Sequence, residues 1–315
     1  VDETGTLIKE KTGSATLRAT AHGTELYAEI TVCVMEEDTT PHVVDMKYIQ
    51  GNSSYGYYCI LADGSLWRWG DKRIVPEKLP CENVSDIASY DSYLFILHPD
   101  GTLDYFYNNT LRKAAFLTEV TAVGGHSYYF YALKTDGTVW TWQNNGTPRQ
   151  ILGVTQVTKI VSSYESVVML TQSGEVYRAS DVQDPQLVCS GAVGLEKNHG
   201  LGNIYYYTVE FEDSYAVYSG TSRQKTVAKT AEHELVNDYR SFYLEDGIVY
   251  GKGRNDYGAL GLGADIDSVS EYTAIPGIEN AESIFMFDYN TFVQTADGKL
   301  YGMGQNSGHE LANLS

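Results

Sequence analysis

Two His-Glu pairs, His233-Glu234 and His309-Glu310, are the first residues whose types could do chemistry. A His-Glu-x-x-His run on a helix holds zinc between its histidines and uses the glutamate as a base. Here the second histidine is replaced by Asn237 in one stretch and Asn313 in the other, and neither stretch has a helical apolar period. Asp256, Asp265 and Asp267 offer oxygen ligands, but they lack the alternating ligands and central glycine of a calcium loop. There is no Gly-x-Ser-x-Gly elbow and no Gly-rich phosphate loop ending in lysine. The four cysteines, Cys33, Cys59, Cys81 and Cys189, form no Cys-x-x-Cys pair and read as buried free thiols. The sequence therefore predicts no catalytic residue, no metal and no cofactor.

Tyrosine is the residue that does recur with a spacing. The chain holds 26 of them, and one falls in each of seven similar stretches. These are Ser53-Ser54-Tyr55, Ser89-Tyr90-Asp91, Ser127-Tyr128-Tyr129, Ser163-Tyr164-Glu165, Ile204-Tyr205-Tyr206, Asp238-Tyr239-Arg240 and Asp288-Tyr289-Asn290. Strand propensity alone favours tyrosine, and Tyr129 and Tyr206 are assigned to strands on that ground. Recurrence in a polar loop asks for more, because loops are where contact residues sit. A tyrosine ring gives a large, rigid surface and a hydroxyl for hydrogen bonding. The expected partner-binding set is Tyr55, Tyr90, Asp91, His126, Tyr128, Tyr164, Glu165, Tyr205, Tyr239 and Tyr289, with His126 a hydrogen-bonding member.

The elements that must position these tyrosines repeat with them. A turn follows each stretch, at Asp63-Gly64, Asp100-Gly101, Asp136-Gly137, Ser173-Gly174, Asp246-Gly247 and Asp297-Gly298, with a degenerate copy at Asp213-Ser214. Asp-Gly between two apolar runs is a strong hairpin signal. Tyr93-Leu94-Phe95-Ile96-Leu97 before a turn and Thr138-Val139-Trp140-Thr141-Trp142 after one are examples. A further run such as Val120-Thr121-Ala122-Val123 opens each unit, and a short strand near Pro76 or Pro148 closes it. Four strands per repeat, seven times, predicts an all-β, seven-bladed β-propeller over residues 42–315, since stacking the sheets round an axis buries both faces of each. In that fold the tyrosine loops of all blades ring the central opening on one face. Alternation puts Trp67 with Trp69, and Trp140 with Trp142, on one face of a strand, for packing between blades. Residues near 37–50 are candidates to complete the last blade.

Residues 246–263, DGIVYGKGRNDYGALGLG, resemble the repeat of the regulator of chromosome condensation family. Trp67-Arg68-Trp69-Gly70, Gly124-Gly125-His126-Ser127 and Gly302-Met303-Gly304-Gln305-Asn306 match its other hallmarks, and Asn306-Ser307-Gly308-His309-Glu310-Leu311 departs from its loop. The resemblance implies a seven-bladed propeller. Residues 1–36, with alternating runs at Thr6-Leu7-Ile8, Ala15–Thr20 and Tyr27–Val32, resemble the C-terminal strands of a bacterial immunoglobulin-like domain of the intimin/invasin type. That resemblance implies an extracellular or bacterial cell-surface setting. Residues 37–41 read as a polar linker.

Net charge is −19, from 41 acidic and 22 basic residues. No basic cluster exists to meet a phosphate backbone, so nucleic-acid binding is excluded, and no apolar run is long enough to insert as a membrane helix. The function expected is a non-catalytic, secreted or surface protein-binding scaffold with an aromatic loop rim. Secreted β-lactamase inhibitor proteins with a similar propeller present loop aromatics in this way. The alternative is a carbohydrate-binding or carbohydrate-active surface protein, which would need a deep acidic pocket. Guanine-nucleotide exchange ranks last, for want of a wedge insertion between blades.

Overall fold

The computed structural model describes the chain apart from residues 1–12, 21–26, 35–41, 50–55, 71–72, 91–92, 108–109, 127–128, 144–145, 164–165, 181–182, 198–205, 230–233, 238, 264, 288 and 312–315; at 13–20, 27–34, 74, 90, 126 and 197 it describes the backbone alone. It divides into two units, Val1–His42 and Val43–Ser315. In the first, Gly13–Thr20 pairs antiparallel with Tyr27–Val34, placing Gly13 opposite Val34 and Thr20 opposite Tyr27. The run at Thr6-Leu7-Ile8 lies outside the described residues.

The second unit is an all-β, seven-bladed propeller. Six sheets have four strands and one has three among the described residues, each a meander in chain order. The first strands, Val43–Ile49, Asp86–Tyr90, Val120–His126, Val157–Ser163, Gly194–Lys197, Leu235–Val236 and Ala281–Met286, lie innermost. Those of blades 1 to 5 abut one another in order. The fourth strands include Arg73–Lys78, which carries Pro76, and Arg149–Gln150, which follows Pro148. Proline is tolerated there because an outer edge strand need not donate every amide.

The Asp-Gly turns do two jobs. Gly64, Gly101, Gly137, Gly174, Gly247 and Gly298 all have positive φ between 74° and 79°, which a side chain would oppose. The first five carbonyls also accept the amide of a residue entering the next blade: Val84, Val120, Val157, Ala192 and Ala281, at 2.8 to 3.1 Å. The residue just before four of those amides, Asn83, Glu119, Gln156 or Asn280, is itself left-handed at φ 54° to 59°. A Cβ on Gly137 would stand 3.0 Å from the Cα of Gln156. The glycine is thus needed for the turn and for the close approach of the next blade.

Apolar clusters fill the seams. Phe95, Leu97 and Tyr105 of blade 2 meet Phe130, Ala132 and Trp142 of blade 3. Trp69 and Trp142 are each 3% exposed and lie in such seams, as the alternation predicts. The seam between blades 5 and 6 carries polar contacts by contrast: Thr208 Oγ1 donates to the Val236 carbonyl at 2.9 Å, and the amide of the buried Glu234 donates to the Tyr215 hydroxyl at 3.2 Å. Near the axis Lys47 of blade 1 binds Asp86 of blade 2 and donates to the Ile87 carbonyl at 2.9 Å. Asp86 in turn accepts the Val123 amide of blade 3 at 2.9 Å, tying three blades with two side chains.

The ring closes through side chains. Residues Val43–Ile49 do not complete the last blade; they pair with Gly56–Leu61 as the innermost strand of the first. Blade 7 instead meets blade 1 where Val43 N donates to Gln294 Oε1 at 2.5 Å, Tyr57 OH to Asn290 Oδ1 at 2.7 Å and Trp69 Nε1 to the Glu310 carbonyl at 2.8 Å. Tyr57, Trp69, Phe287 and Phe292 pack together across that seam.

Two outcomes follow for stability. Gly137→Ala loses about 1–2 kcal/mol through the left-handed penalty, read as a fall in Tm of about 2–4 °C for each kcal/mol. Gln156→Gly, across the same junction, stays near neutral because relieved strain offsets the added freedom of the unfolded chain; equal losses from both would contradict the junction geometry. The second outcome concerns Lys47. Burial pulls its pKa down, but the charges and hydrogen bonds of Asp86 and Asp45 outweigh this and hold it above the ordinary value. A lysine with a raised folded pKa contributes stability that is complete below about pH 10.4 and lost as pH rises through the folded value. The Tm difference between wild type and Lys47→Met is therefore constant from pH 7 to 9.5 and shrinks above that range.

Candidate functional site

The tyrosine loops join the innermost strand of a blade to its second strand. Tyr239 and Tyr289 are the two expected site residues whose side chains the structure describes. Tyr90 and His126 end their innermost strands, Asp86–Tyr90 and Val120–His126, and their side chains lie outside the described set. Tyr55, Asp91, Tyr128, Tyr164, Glu165 and Tyr205 lie outside the described residues altogether. Tyr129 and Tyr206 are half-buried at the start of second strands, and Tyr129 packs on the core between blades 3 and 4.

Backbone contacts fix the two described tyrosines in matching ways. Arg254 N donates to the Tyr239 carbonyl at 3.1 Å, and Gln305 N donates to the Tyr289 carbonyl at 2.9 Å. The residue before each donor is a glycine, Gly253 at φ 112° and Gly304 at φ 119°. A Cβ on either would collide with the tyrosine carbonyl. The Asn237 side chain adds a turn of its own, accepting the amides of Tyr239 and Arg240 at 2.8 Å each.

A longer loop from blade 6 then reaches over these positions. Asn255 organises it from inside. Its Nδ2 donates to the carbonyls of Gly263 and Ile266 at 2.8 and 2.7 Å, and its Oδ1 accepts the Leu260 amide at 2.7 Å. Leu260 is fully buried, in the cluster that holds Phe242 and Val249. Thr291 of blade 7 donates to the Ala259 carbonyl at 2.8 Å and anchors the loop across the seam. Tyr257 projects from this frame, 64% exposed and left-handed at φ 56°. Its ring meets Tyr289 edge-on, with centroids 5.2 Å apart and planes at 77°. Arg254 lies 5.3 Å over the Tyr239 ring and donates to Asp256 Oδ1 at 3.0 Å. Tyr239, Arg254, Asp256, Tyr257 and Tyr289 thus form one ledge of aromatic and charged groups along blades 6 and 7.

Tyr257 and Arg254 were not among the expected site residues. The signal was present: Tyr257 is the one large ring in a stretch otherwise built of turn formers. Periodicity drew attention to the recurrent tyrosines instead. The last repeat also keeps more than its sequence suggests. Asn306 Oδ1 accepts the Leu311 amide at 3.0 Å, as Asn255 does for Leu260. A Cβ on Gly302 would meet Leu311 and Phe292, as one on Gly251 would meet Leu260 and Phe242.

The groups that could suggest catalysis are otherwise employed. Glu234 is buried and accepts the Tyr272 hydroxyl at 2.9 Å. Burial and this carboxylate together push the Tyr272 pKa well up. Glu310 accepts the Gly308 amide at 2.7 Å, within a loop where His309 is left-handed. On the outer side of blades 1 and 2 a groove of about 590 Å³ brings Cys81, His98 and Asp104 together. His98 Nδ1 faces the Asn83 carbonyl at 2.9 Å and Nε2 faces Asp104 at 3.3 Å, so both nitrogens are turned to partners other than the thiol. Burial, with the Asp104 charge adding, pushes the Cys81 thiol up to about 11, which disfavours a thiolate nucleophile at neutral pH. Among the described residues no three His, Cys, Asp or Glu side chains gather as a metal site.

Another cavity lies toward the axis between blades 5, 6, 7 and 1. It encloses about 310 Å³ and is lined by Asp45, Glu196, Glu210, Glu234, Tyr215 and Phe285, among others. Lys159 binds Glu196, Lys229 donates to Glu210 at 2.7 Å, and Lys47 stands 3.6 Å from Asp45.

No family model matches the chain, and no curated protein matches it. Solved structures do. Human WBSCR16 superposes with a TM-score of 0.58 at 13% identity, over 76% of this chain and 81% of that one. YCF48 from Cyanidioschyzon merolae gives 0.57 at 10% identity, over 85% and 96%. YCF48 bound to D1 peptide gives 0.55 at 9%, over 85% and 93%. Yeast RCC1 (Prp20) bound to Kap60 also matches, at 0.42 and 14% identity, over 86% and 71%. At such identities the first three likenesses show the fold alone.

Asn255→Ala strands the buried Leu260 amide and two carbonyls. The expected loss is about 2–4 kcal/mol, seen as a lower denaturant midpoint, while Asn306→Ala loses less because Leu311, whose amide it serves, is only half-buried. Equal losses would overturn the central role given to Asn255.

Proposed function

We propose that the propeller is a non-catalytic protein-binding scaffold that engages its partner through the tyrosine-bearing loops of one face. One observation carries this reading: Tyr257 is held exposed on a pinned loop, edge-on to Tyr289 and beside the Arg254–Asp256 pair. Rigid aromatic groups with a polar tip suit interface hot spots, because little side-chain freedom is lost on contact. The recurrence of tyrosine in the corresponding loop of every blade extends the ledge into a rim, comprising Tyr55, Tyr90, Tyr128, Tyr164 and Tyr205 with Asp91, His126 and Glu165. The matching Asn255 and Asn306 loops support the kinship with regulator of chromosome condensation repeats. YCF48, which shares the fold, is known bound to a peptide.

The net charge of −19 argues against nucleic acid as the partner. Among the described residues no helix is long and apolar enough to cross a membrane. The immunoglobulin-like character of residues 1–36 supports a secreted or bacterial cell-surface setting. A glycan is the alternative partner, and the axial cavity with its four carboxylates is the feature that favours it. Those carboxylates are tied to lysines and to Tyr272, so the rim reading is preferred.

The test is capture from extracellular protein fractions and on a glycan array. Wild type is compared with a chain carrying Tyr90→Ala, Tyr164→Ala, Tyr239→Ala and Tyr289→Ala. A protein held by wild type and lost by at least about tenfold in the variant is expected, since a single good anchor contributes about 2 kcal/mol. A glycan held equally by both would transfer the function to the cavity.

A further inference from the structure

We propose that the ledge of Tyr239, Tyr257 and Tyr289 takes an arginine- or lysine-rich extended segment of the partner, with Tyr257 as its central anchor. This rests on reading the rim as a protein-binding face and names the chemistry it selects.

Nothing in the fold asks for a tyrosine at 257. A side chain at φ 56° is strained, and the ring is 64% exposed, so it fills no core. The copy of this loop in blade 7 places Gly308 at the corresponding step after Asn306 and makes the same Asn-to-Leu hydrogen bond. Strain kept at an exposed aromatic, on a loop fixed by three side-chain hydrogen bonds of Asn255, marks a contact group.

The same loop carries Asp256, Asp265 and Asp267, the last two exposed, with Asn255 N held to the Asp267 carbonyl at 2.8 Å. The whole chain is strongly acidic. A cationic segment is steered toward such a surface, and an acidic one is repelled.

The chain already displays the binding mode. Arg254 rests over the Tyr239 ring at 5.3 Å while its guanidinium donates to Asp256 at 3.0 Å. Lys252 stands 4.6 Å over Tyr272, and Arg112 5.7 Å over Tyr107. Ring beneath and carboxylate beside is therefore how the ledge holds its own Arg254, and a cation over a tyrosine ring recurs elsewhere in the chain. Among the described residues no cation stands over Tyr257, whose ring makes a T-shaped contact with Tyr289 and is otherwise largely exposed. Its exposed face is where a partner's guanidinium or ammonium fits.

The test uses the full chain and fluorescein-labelled (Arg-Gly)6, (Lys-Gly)6 and (Glu-Gly)6 peptides, read by fluorescence anisotropy at low and near-physiological salt. The expected result is binding of the two cationic peptides and none of the acidic one. Tyr257→Asn, which suits left-handed backbone and preserves the fold, weakens binding at least tenfold, while Tyr257→Phe stays within twofold because the ring face remains. Binding by Tyr257→Asn as tight as wild type would overturn the proposal, leaving only general attraction to an acidic protein. Loss in Tyr257→Phe equal to that in Tyr257→Asn would overturn it too, by pointing to the hydroxyl. If these peptides fail but the rim variant still loses a captured protein, the rim reading stands and the cationic partner falls.

Discussion

The structure depends on one hydrogen bond repeated round the ring. The carbonyl of a turn glycine in one blade accepts an amide at the entrance to the next. Each blade is a sheet that cannot bury both faces by itself, so neighbours must meet at a fixed distance and angle. The glycine carbonyl sets that distance through the backbone, and the left-handed residue before the donor sets the angle. The apolar seams then fill behind a junction already in register. Where the pattern lapses, at Asp213-Ser214, the Asp213 carbonyl instead accepts the Lys229 amide. The next innermost strand, Leu235–Val236, is the shortest of the innermost strands among the described residues, and a polar seam with a cavity takes the place of an apolar one.

This junction explains why the architecture was legible in the sequence. Asp-Gly turns are visible as residues, and here they mark both the hairpin and the boundary of a blade. The fourth strands were legible through Pro76 and Pro148 because proline is confined to such edges. Ring closure was not legible, because it uses side chains far apart in sequence, such as Tyr57 with Asn290 and Trp69 with the Glu310 carbonyl. The Val43–Ile49 strand has the pattern of any innermost strand, so only pairing could assign it to blade 1. The last loop looked aberrant since Gly308 and His309 exchange the ring and glycine positions of Tyr257 and Gly258. The asparagine that organises it was still there to be read.

The candidate site shows the same division. Tyr239 and Tyr289 were found by their recurrence, which is a property of the repeat. Tyr257 belongs to the loop that only one repeat keeps in full, and periodicity is blind to a single occurrence. Its role emerges from exposure and backbone strain together, neither of which a sequence displays. The acidic composition was legible and argues against nucleic acid, but its division was not. The carboxylates on the axis are tied to Lys47, Lys159, Lys229 and Tyr272, whereas those of the blade 6 loop face outward beside a tyrosine. Charge on the axis holds blades together, and that of Asp265 and Asp267 in the blade 6 loop stands exposed.

The central claim is that the blade 6–7 ledge is the face that meets another protein. The most direct measurement places the photocrosslinker p-benzoylphenylalanine at position 257, and separately at the 71% exposed position 152 beyond the outer strand of blade 3. Both chains are irradiated in the extracellular milieu and their adducts are resolved by mass. A discrete adduct is expected from position 257 and none from position 152. Adducts of equal yield from both positions, or from position 152 alone, would contradict that claim.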